Sequence, residues 1–238
     1  MPGNVAFLEP GAPLPAPRAG GPAGLVAVGG DLRPETLLDA YAKGIFPWYE
    51  EDPILWFCPD PRMVLRPRDL RINRSLRRTL RRGRFEVRLD TAFGQVIRAC
   101  AGARRPGARG TWINRDMIRA YERLHALGFA HSAEAYREGR LVGGLYGVAM
   151  GAVFFGESMF TGEDDASKVA LVCLRDQLMA WGFEMIDCQV PTPHMARLGA
   201  TAWQRRRFLR ALQEALRAPT RRGAWTIDPA IAGAGVAT

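Results

Sequence analysis

Hydrophobic and polar positions change period several times along the 238-residue chain. After Pro34, which suits a first helical turn, Leu37, Leu38 and Tyr41 form one apolar face, and Gly44 ends it. A second helix is predicted from the N-cap Asn73 to Gly83. Phe85 to Leu89 alternates like a strand, and residues 92–101 read as helical. Asn114 is placed to cap a helix with Ile118, Tyr121, Leu124 and Leu127 on one face, stopped by Gly128. Strand-like segments follow at 131–137, 140–149 and 152–156. Asp165 is placed to cap a long helix to Trp181, which Gly182 ends. Phe183 to Val190 reads as a strand, and shorter helical pieces lie near 193–198 and 204–217.

Strands, a central hairpin and segregated helices predict an α+β fold. Residues 10–24 are Pro, Gly and Ala with one Leu and one Arg, an extended or flexible lead-in, and order is expected from Gly24. The character changes after Arg62. Residues 1–62 are therefore expected to form a small N-terminal domain, and residues 63–238 a larger one with a weakly patterned tail beyond Ala218. The uncharged run Leu141–Gly156 contains five glycines and is shorter than a membrane span, so it predicts paired strands.

Composition narrows the classes. A hydrophobic fraction of 47% and a charged fraction of 24% fit a soluble globular protein and exclude disordered or fibrous ones. The net charge of +9 points to a polyanion partner, and Lys occurs only at Lys43 and Lys168, so the basic set is nearly all Arg. Cys58, Cys100, Cys173 and Cys188 form no CxxC pair and no Cys/His cluster at metal spacing. They read as reduced thiols of a cytoplasmic protein, and neither metal nor cofactor is expected. The N-terminus lacks the order of a signal peptide.

No GxSxG elbow, P-loop or HExxH helix occurs. His125, His131 and His194 share no motif and read as structural or exposed. Candidate chemistry lies in Gly156-Glu-Ser-Met-Phe160 and Ile186-Asp-Cys-Gln-Val190. Strand alternation puts Asp187 and Gln189 on one face, and Ile186, Cys188 and Val190 on the other. Such a polar pair either fixes strand register or does chemistry. Glu157, between apolar residues, implies a buried partner or a cleft. Arg74, Arg77, Arg78, Arg81 and Arg82, with Arg84 just beyond, cover more than one side of a helix, as phosphate contact would use. Trp48, Tyr49, Trp56 and Trp112 are loop aromatics able to stack on a base or ribose.

Several ordered stretches then resemble one family, the bacterial leucyl/phenylalanyl-tRNA–protein transferases. They include Gly24-Leu-Val-Ala-Val-Gly-Gly-Asp-Leu32, Lys43-Gly-Ile-Phe-Pro-Trp48, Asp52-Pro-Ile-Leu-Trp56 and Pro59-Asp-Pro-Arg62. Gly110-Thr-Trp-Ile113, His131-Ser132, Leu141-Val-Gly-Gly-Leu-Tyr-Gly147, Phe155-Gly-Glu-Ser-Met-Phe160, Ala166-Ser-Lys168 and Asp187-Cys-Gln-Val190 follow, and His194 with Leu198-Gly-Ala200 closes the series. The resemblance runs from about residue 24 to about 217.

It implies a small N-terminal domain followed by a GNAT-like acyltransferase domain. The implied reaction moves Leu, Phe or Met from aminoacyl-tRNA to the N-terminal Arg or Lys of a protein, marking that protein for degradation. By resemblance, Asp187 with Gln189 orients and deprotonates the acceptor amine, with the Gln189 side chain bonding both amine and Asp187. Glu157 adds negative potential for the acceptor's cationic side chain. The implied donor pocket is Leu145, Met159, Leu171, Leu174, Leu178 and Ile186. Trp48 and Trp112 match positions near the terminal adenosine and aminoacyl group, and the Arg-rich helix matches the basic cluster for the tRNA acceptor stem. Thr192-Pro193 departs from the Asn-Asp that relatives often carry before the His.

Two alternatives make different demands. A CoA-dependent N-acetyltransferase needs a pyrophosphate loop of the form Q/R-x-x-G-x-G/A at a helix N-terminus. Only Arg18–Ala23 fits it, and Arg140–Leu145 fails at its last position. A non-catalytic tRNA-binding module explains the charge but leaves Glu157, Asp187 and Gln189 unused.

Overall fold

The computed structural model describes residues 5–17, 24–103 and 111–233. The first elements are β1 (Ala6–Leu8), β2 (Leu25–Gly29), α1 (Pro34–Ala42), β3 (Phe46–Pro47) and β4 (Leu55–Phe57). They build a four-stranded sheet in the order β1-β2-β4-β3, with β1 parallel to β2 and the other pairs antiparallel. β1 precedes Gly24, where the sequence predicts no order; three residues are too few to show an alternation. Leu14 in the lead-in is buried, its N–H donating to Asp39 at 3.2 Å and its carbonyl accepting from Lys43 Nζ at 2.5 Å.

The rest of the chain begins with β5 (Arg62–Leu65), α2 (Arg74–Arg81), β6 (Glu86–Leu89), α3 (Phe93–Gly102) and α4 (Arg115–Ala126). It continues through β7 (Ala130–Arg137), β8 (Arg140–Met150), β9 (Val153–Thr161), α5 (Ala166–Ala180) and β10 (Met185–Gln189). The last elements are α6 (Pro193–Arg197), β11 (Thr201–Trp203), α7 (Arg205–Ala215) and α8 (Pro229–Gly233). Asn73 and Asn114 cap α2 and α4 as predicted, their side chains accepting from Leu76 N–H and from Asp116 and Met117 N–H. The strands form a seven-stranded sheet in the order β11-β5-β10-β9-β8-β7-β6, in which only β9 and β10 run parallel. The architecture is α+β.

The large sheet buries both faces. One carries Val148, Val153, Phe155 and Met185 against α1, α3, α4, α7 and the small sheet; the other carries Ala149, Phe154 and Ile186 beneath α2 and α5. Three predictions need correction. Asp165 precedes α5 at φ 67° and makes no capping bond; its carboxylate accepts instead from Thr79 Oγ1 at 2.9 Å and Lys168 Nζ at 2.7 Å, tying α2 to the start of α5. Leu127 is exposed because it is the C-cap beyond the last helical residue, and α4 buries Met117, Ala120, Tyr121 and Leu124, with Ile118 partly buried beside them. The tail beyond Ala218 is docked through Trp225, which is buried, stacks on His131 and donates its backbone N–H to Asp90 at 2.7 Å.

Candidate active site

The pairing of β9 with β10 stops at Phe155 and Asp187. Beyond that point β9 stays with β8, and two bulges change where side chains point. In β9, Gly147 pairs with Gly156 but Tyr146 pairs with Ser158, so Glu157 is the extra residue and faces the α1/α4 side. Gly147 allows this close passage, since a Cβ there would lie 2.2 Å from the Phe155 carbonyl oxygen. In β10 the register shifts between Asp187 and Gln189, and Gln189 takes φ 60°. Asp187 and Gln189 do face one side together. Val190 does not oppose them as alternation predicts; past the bulge it packs with the cluster containing Tyr41 and Tyr121.

Asp187 is wholly buried and locked to Arg62, which opens β5 on the neighbouring strand. Arg62 donates from Nε to Oδ1 at 2.8 Å and from Nη2 to Oδ2 at 2.6 Å, a bidentate pair with both side chains at 0% exposure. The guanidinium lies 4.7 Å from the Phe46 ring centre and 4.6 Å from that of Phe208. Burial works against its charge, and the Asp187 carboxylate outweighs that, raising its pKa above the ordinary value. Asp187 Oδ1 also accepts the Gln189 backbone N–H at 2.9 Å, holding that residue in its left-handed conformation.

The Gln189 side chain crosses to the other strand. Its Nε2 donates to Glu157 Oε1 at 2.7 Å, so the expected side-chain bond to Asp187 is replaced by a backbone one. Glu157 is 9% exposed. Its Oε1 accepts from Tyr41 at 2.7 Å and its Oε2 from Tyr121 at 3.1 Å, and the two hydroxyls also meet each other. Burial pushes its carboxyl up to about 7 from 4.5; the Tyr41 and Tyr121 hydroxyls and Gln189 pull down, and Asp187 adds to the rise. The tyrosines are held well above their usual value by burial and then by the Glu157 charge, so they remain donors. Arg62, Asp187, Gln189, Glu157, Tyr41 and Tyr121 thus form one connected network between the large sheet and helices α1 and α4. A carboxyl poised near neutrality is suited to exchanging a proton with an amine.

A sequence model described as leucyl/phenylalanyl-tRNA protein transferase matches residues 64–213, and one described as its N-terminal domain matches residues 30–60. A leucyl/phenylalanyl-tRNA–protein transferase of Myxococcus xanthus is 61% identical over 214 residues, 90% of this chain and 92% of the relative. Those of an Anaeromyxobacter species and of Thiobacillus denitrificans are each 57% identical, over 90% and 87% of this chain and 92% and 91% of their own. The chain belongs to the leucyl/phenylalanyl-tRNA protein transferase family.

Within this transferase, Leu145, Leu171, Leu174, Leu178 and Ile186 are buried in one cluster under α5, and Met159 joins it partly exposed. The arginines of α2, with Arg82 and Arg84 after it, are all exposed; Arg74, Arg78 and Arg81 line an open cleft of about 500 Å³ with Ser75. Trp48 is exposed enough to offer a ring face, and Trp112 packs partly buried at the start of α4. Trp56 and Tyr49 offer no such face, because Trp56 is a buried residue of β4 donating to Gly29 at 2.8 Å and Tyr49 is buried. Cys188 lies on the Ile186 side, and burial drives its thiol pKa upward, as a packing residue would show. The Arg18–Ala23 and Gly110 parts of the sequence reading lie outside the described residues. Arg140–Leu145 runs within β8 rather than at a helix start. Among the described residues, no helix is long and apolar enough to cross a membrane.

Sequence reasoning overlooked Arg62, Tyr41 and Tyr121 as members of the site. Arg62 heads a strand whose four residues are all buried, an arrangement that demands an anionic partner. Two tyrosines within apolar helix faces likewise demand partners for their hydroxyls.

Proposed function

We propose that this chain joins Leu, Phe or Met from aminoacyl-tRNA to a protein beginning with Arg or Lys. The observation that carries the reading is Glu157, a carboxyl poised near neutrality where β9 and β10 part. Residues 1–62 serve as a small N-terminal unit and residues 63–238 as the catalytic one; the separate sheets and the change of family model between residues 60 and 64 support a boundary in this region, with Arg62 already opening β5 of the large sheet. A GNAT-like reading of the second unit is supported by antiparallel β7-β8-β9 followed by α5 and a β10 parallel to β9.

The donor ester is activated, so positioning supplies most of the rate, on the order of 7–11 kcal/mol. The acceptor amine nitrogen attacks the ester carbonyl carbon, the new C–N bond forms, and the bond to the ribose oxygen breaks. Glu157 takes the proton leaving the amine and returns it to the ribose oxygen. Asp187, with both oxygens engaged by Arg62, acts as the anchor that holds Gln189, and Gln189 orients the reacting groups. The amino-acid side chain seats against Met159 and the leucines beneath α5, and Trp48 and Trp112 stack on the terminal adenosine. Arg74, Arg78 and Arg81 take backbone phosphates of the acceptor stem, with Arg77, Arg82 and Arg84 flanking them.

The test mixes the chain with leucyl-tRNA and a peptide beginning with Arg. Leucine on the peptide is the expected result; tRNA binding without transfer replaces the reading with a binding module, and acetylation of the peptide from acetyl-CoA replaces it with an acetyltransferase. Replacing Arg74, Arg78 and Arg81 together with Ala should weaken tRNA binding and flatten its logarithmic salt slope by roughly 2–3. A slope equal to that of the unaltered chain would remove α2 from the interface.

A further inference from the structure

Tyr41 and Tyr121 reach the same carboxylate from separate helices, α1 and α4, at 2.7 and 3.1 Å. Both are wholly buried. Their rings have packing partners of their own, Phe155 at 5.0 Å from Tyr41 and Tyr146 at 5.7 Å from Tyr121. Phenylalanine would keep those ring contacts, so what the hydroxyls add is their bond to each other and their bonds to Glu157. What they do act on is Glu157. A carboxyl at this depth is driven towards its neutral form, in which it cannot take a proton. Two O–H donors aimed at its oxygens favour the ionised form, because hydrogen bonds to a charged acceptor are the stronger kind.

The other groups facing Glu157 have different tasks. From β10, Gln189 donates to Oε1 and Asp187 contributes an opposing negative charge. From β5, Arg62 is committed to Asp187. From β8, Tyr146 stands edge-on to Tyr121. We propose that Tyr41 and Tyr121 are positioning residues of the transfer reaction, whose hydroxyls keep Glu157 ionised and ready for the proton of the incoming amine. The inference rests on the transferase reading above and on Glu157 as its proton acceptor.

The experiment measures single-turnover leucine transfer to an Arg-initiated peptide from pH 6 to pH 9, with Tyr41→Phe, Tyr121→Phe, Glu157→Gln and the unaltered chain side by side. The acceptor amine titrates identically in all four, so differences between profiles report the enzyme. In each Phe variant the acid limb moves to higher pH by about one unit, equal to about a fivefold loss at pH 7 for a carboxyl that titrates at about 7 in the unaltered chain. Activity recovers as the pH approaches 9, KM for leucyl-tRNA stays within about twofold, and Glu157→Gln keeps only the limb set by the amine itself. A limb that stays in place in both Phe variants overturns the inference, whether activity is full or uniformly reduced. Loss of the fold in both variants also overturns it, because the hydroxyls would then serve stability. An unaltered chain that transfers no leucine overturns the transferase reading itself, a distinct result.

Discussion

Arg62→Met is expected to lose about 3–5 kcal/mol of stability, among the largest losses any single substitution in this chain would give. Asp187 has no exposure, and Arg62 supplies both of its ionic contacts. Removing the guanidinium leaves an uncompensated charge in the interior between Phe46, Phe208 and the sheet. A chain of this size should then melt roughly 10 °C lower. The cause is the orphaned charge rather than lost packing, and a second substitution separates the two. Arg62→Met combined with Asp187→Leu removes both ions, and replacing a buried ion pair with apolar side chains is often neutral or better. The double variant should therefore recover most of the stability in urea and thermal unfolding. It should not recover leucine transfer, because Gln189 no longer has the Asp187 oxygen that its backbone N–H bonds. A single Arg62→Met variant that unfolds at the unaltered midpoint would show that the pair carries no such burden.

Local signals in the sequence are legible where the physics is local. Asn73 and Asn114 each sit before an apolar helical period, and a short side chain that can bond the first free N–H groups has little else to do there. The glycine-rich run from Leu141 to Gly156 became most of β8 and the start of β9, because a polar-poor stretch of that length closes on itself as a hairpin. Alternation failed at the two bulges. One added residue at Glu157 and one register shift before Gln189 re-aim everything after them, so Val190 went to the face opposite its parity. Asp165 shows a different failure. Its type and position suit a cap, but Thr79, distant in sequence, competes for the same oxygens. Arg62 was hidden by abundance: in a chain with 33 basic residues, one more arginine beside a proline looks like surface. Its partner lies 125 positions away, a pairing that no local pattern contains. Trp225 carries no local signal for the same reason, since the stack on His131 is set by tertiary packing.

Glu157→Gln should reduce transfer by about 10²–10⁴-fold, the usual contribution of a placed proton acceptor. Gln has nearly the same shape and keeps one acceptor oxygen for the surrounding donors, so the fold should persist. Stability supplies an independent check. In the folded chain the Glu157 carboxyl titrates at about 7, against an unperturbed 4.5. Between those values the folded chain retains a proton that the unfolded chain has released, so unfolding becomes easier as pH rises through the window. The accumulated loss is on the order of 3 kcal/mol and is complete above the folded value. The Gln variant has no proton to lose. Its melting temperature relative to the unaltered chain should therefore climb from pH 5 to pH 8. A constant difference would mean that burial does not oppose the Glu157 charge, and unreduced transfer would take Glu157 out of the chemistry. If both expectations hold, one carboxylate weakens the fold at the pH where it works. That opposition follows from placing a proton acceptor in apolar surroundings, where the field that sharpens its reactivity also resists its charge.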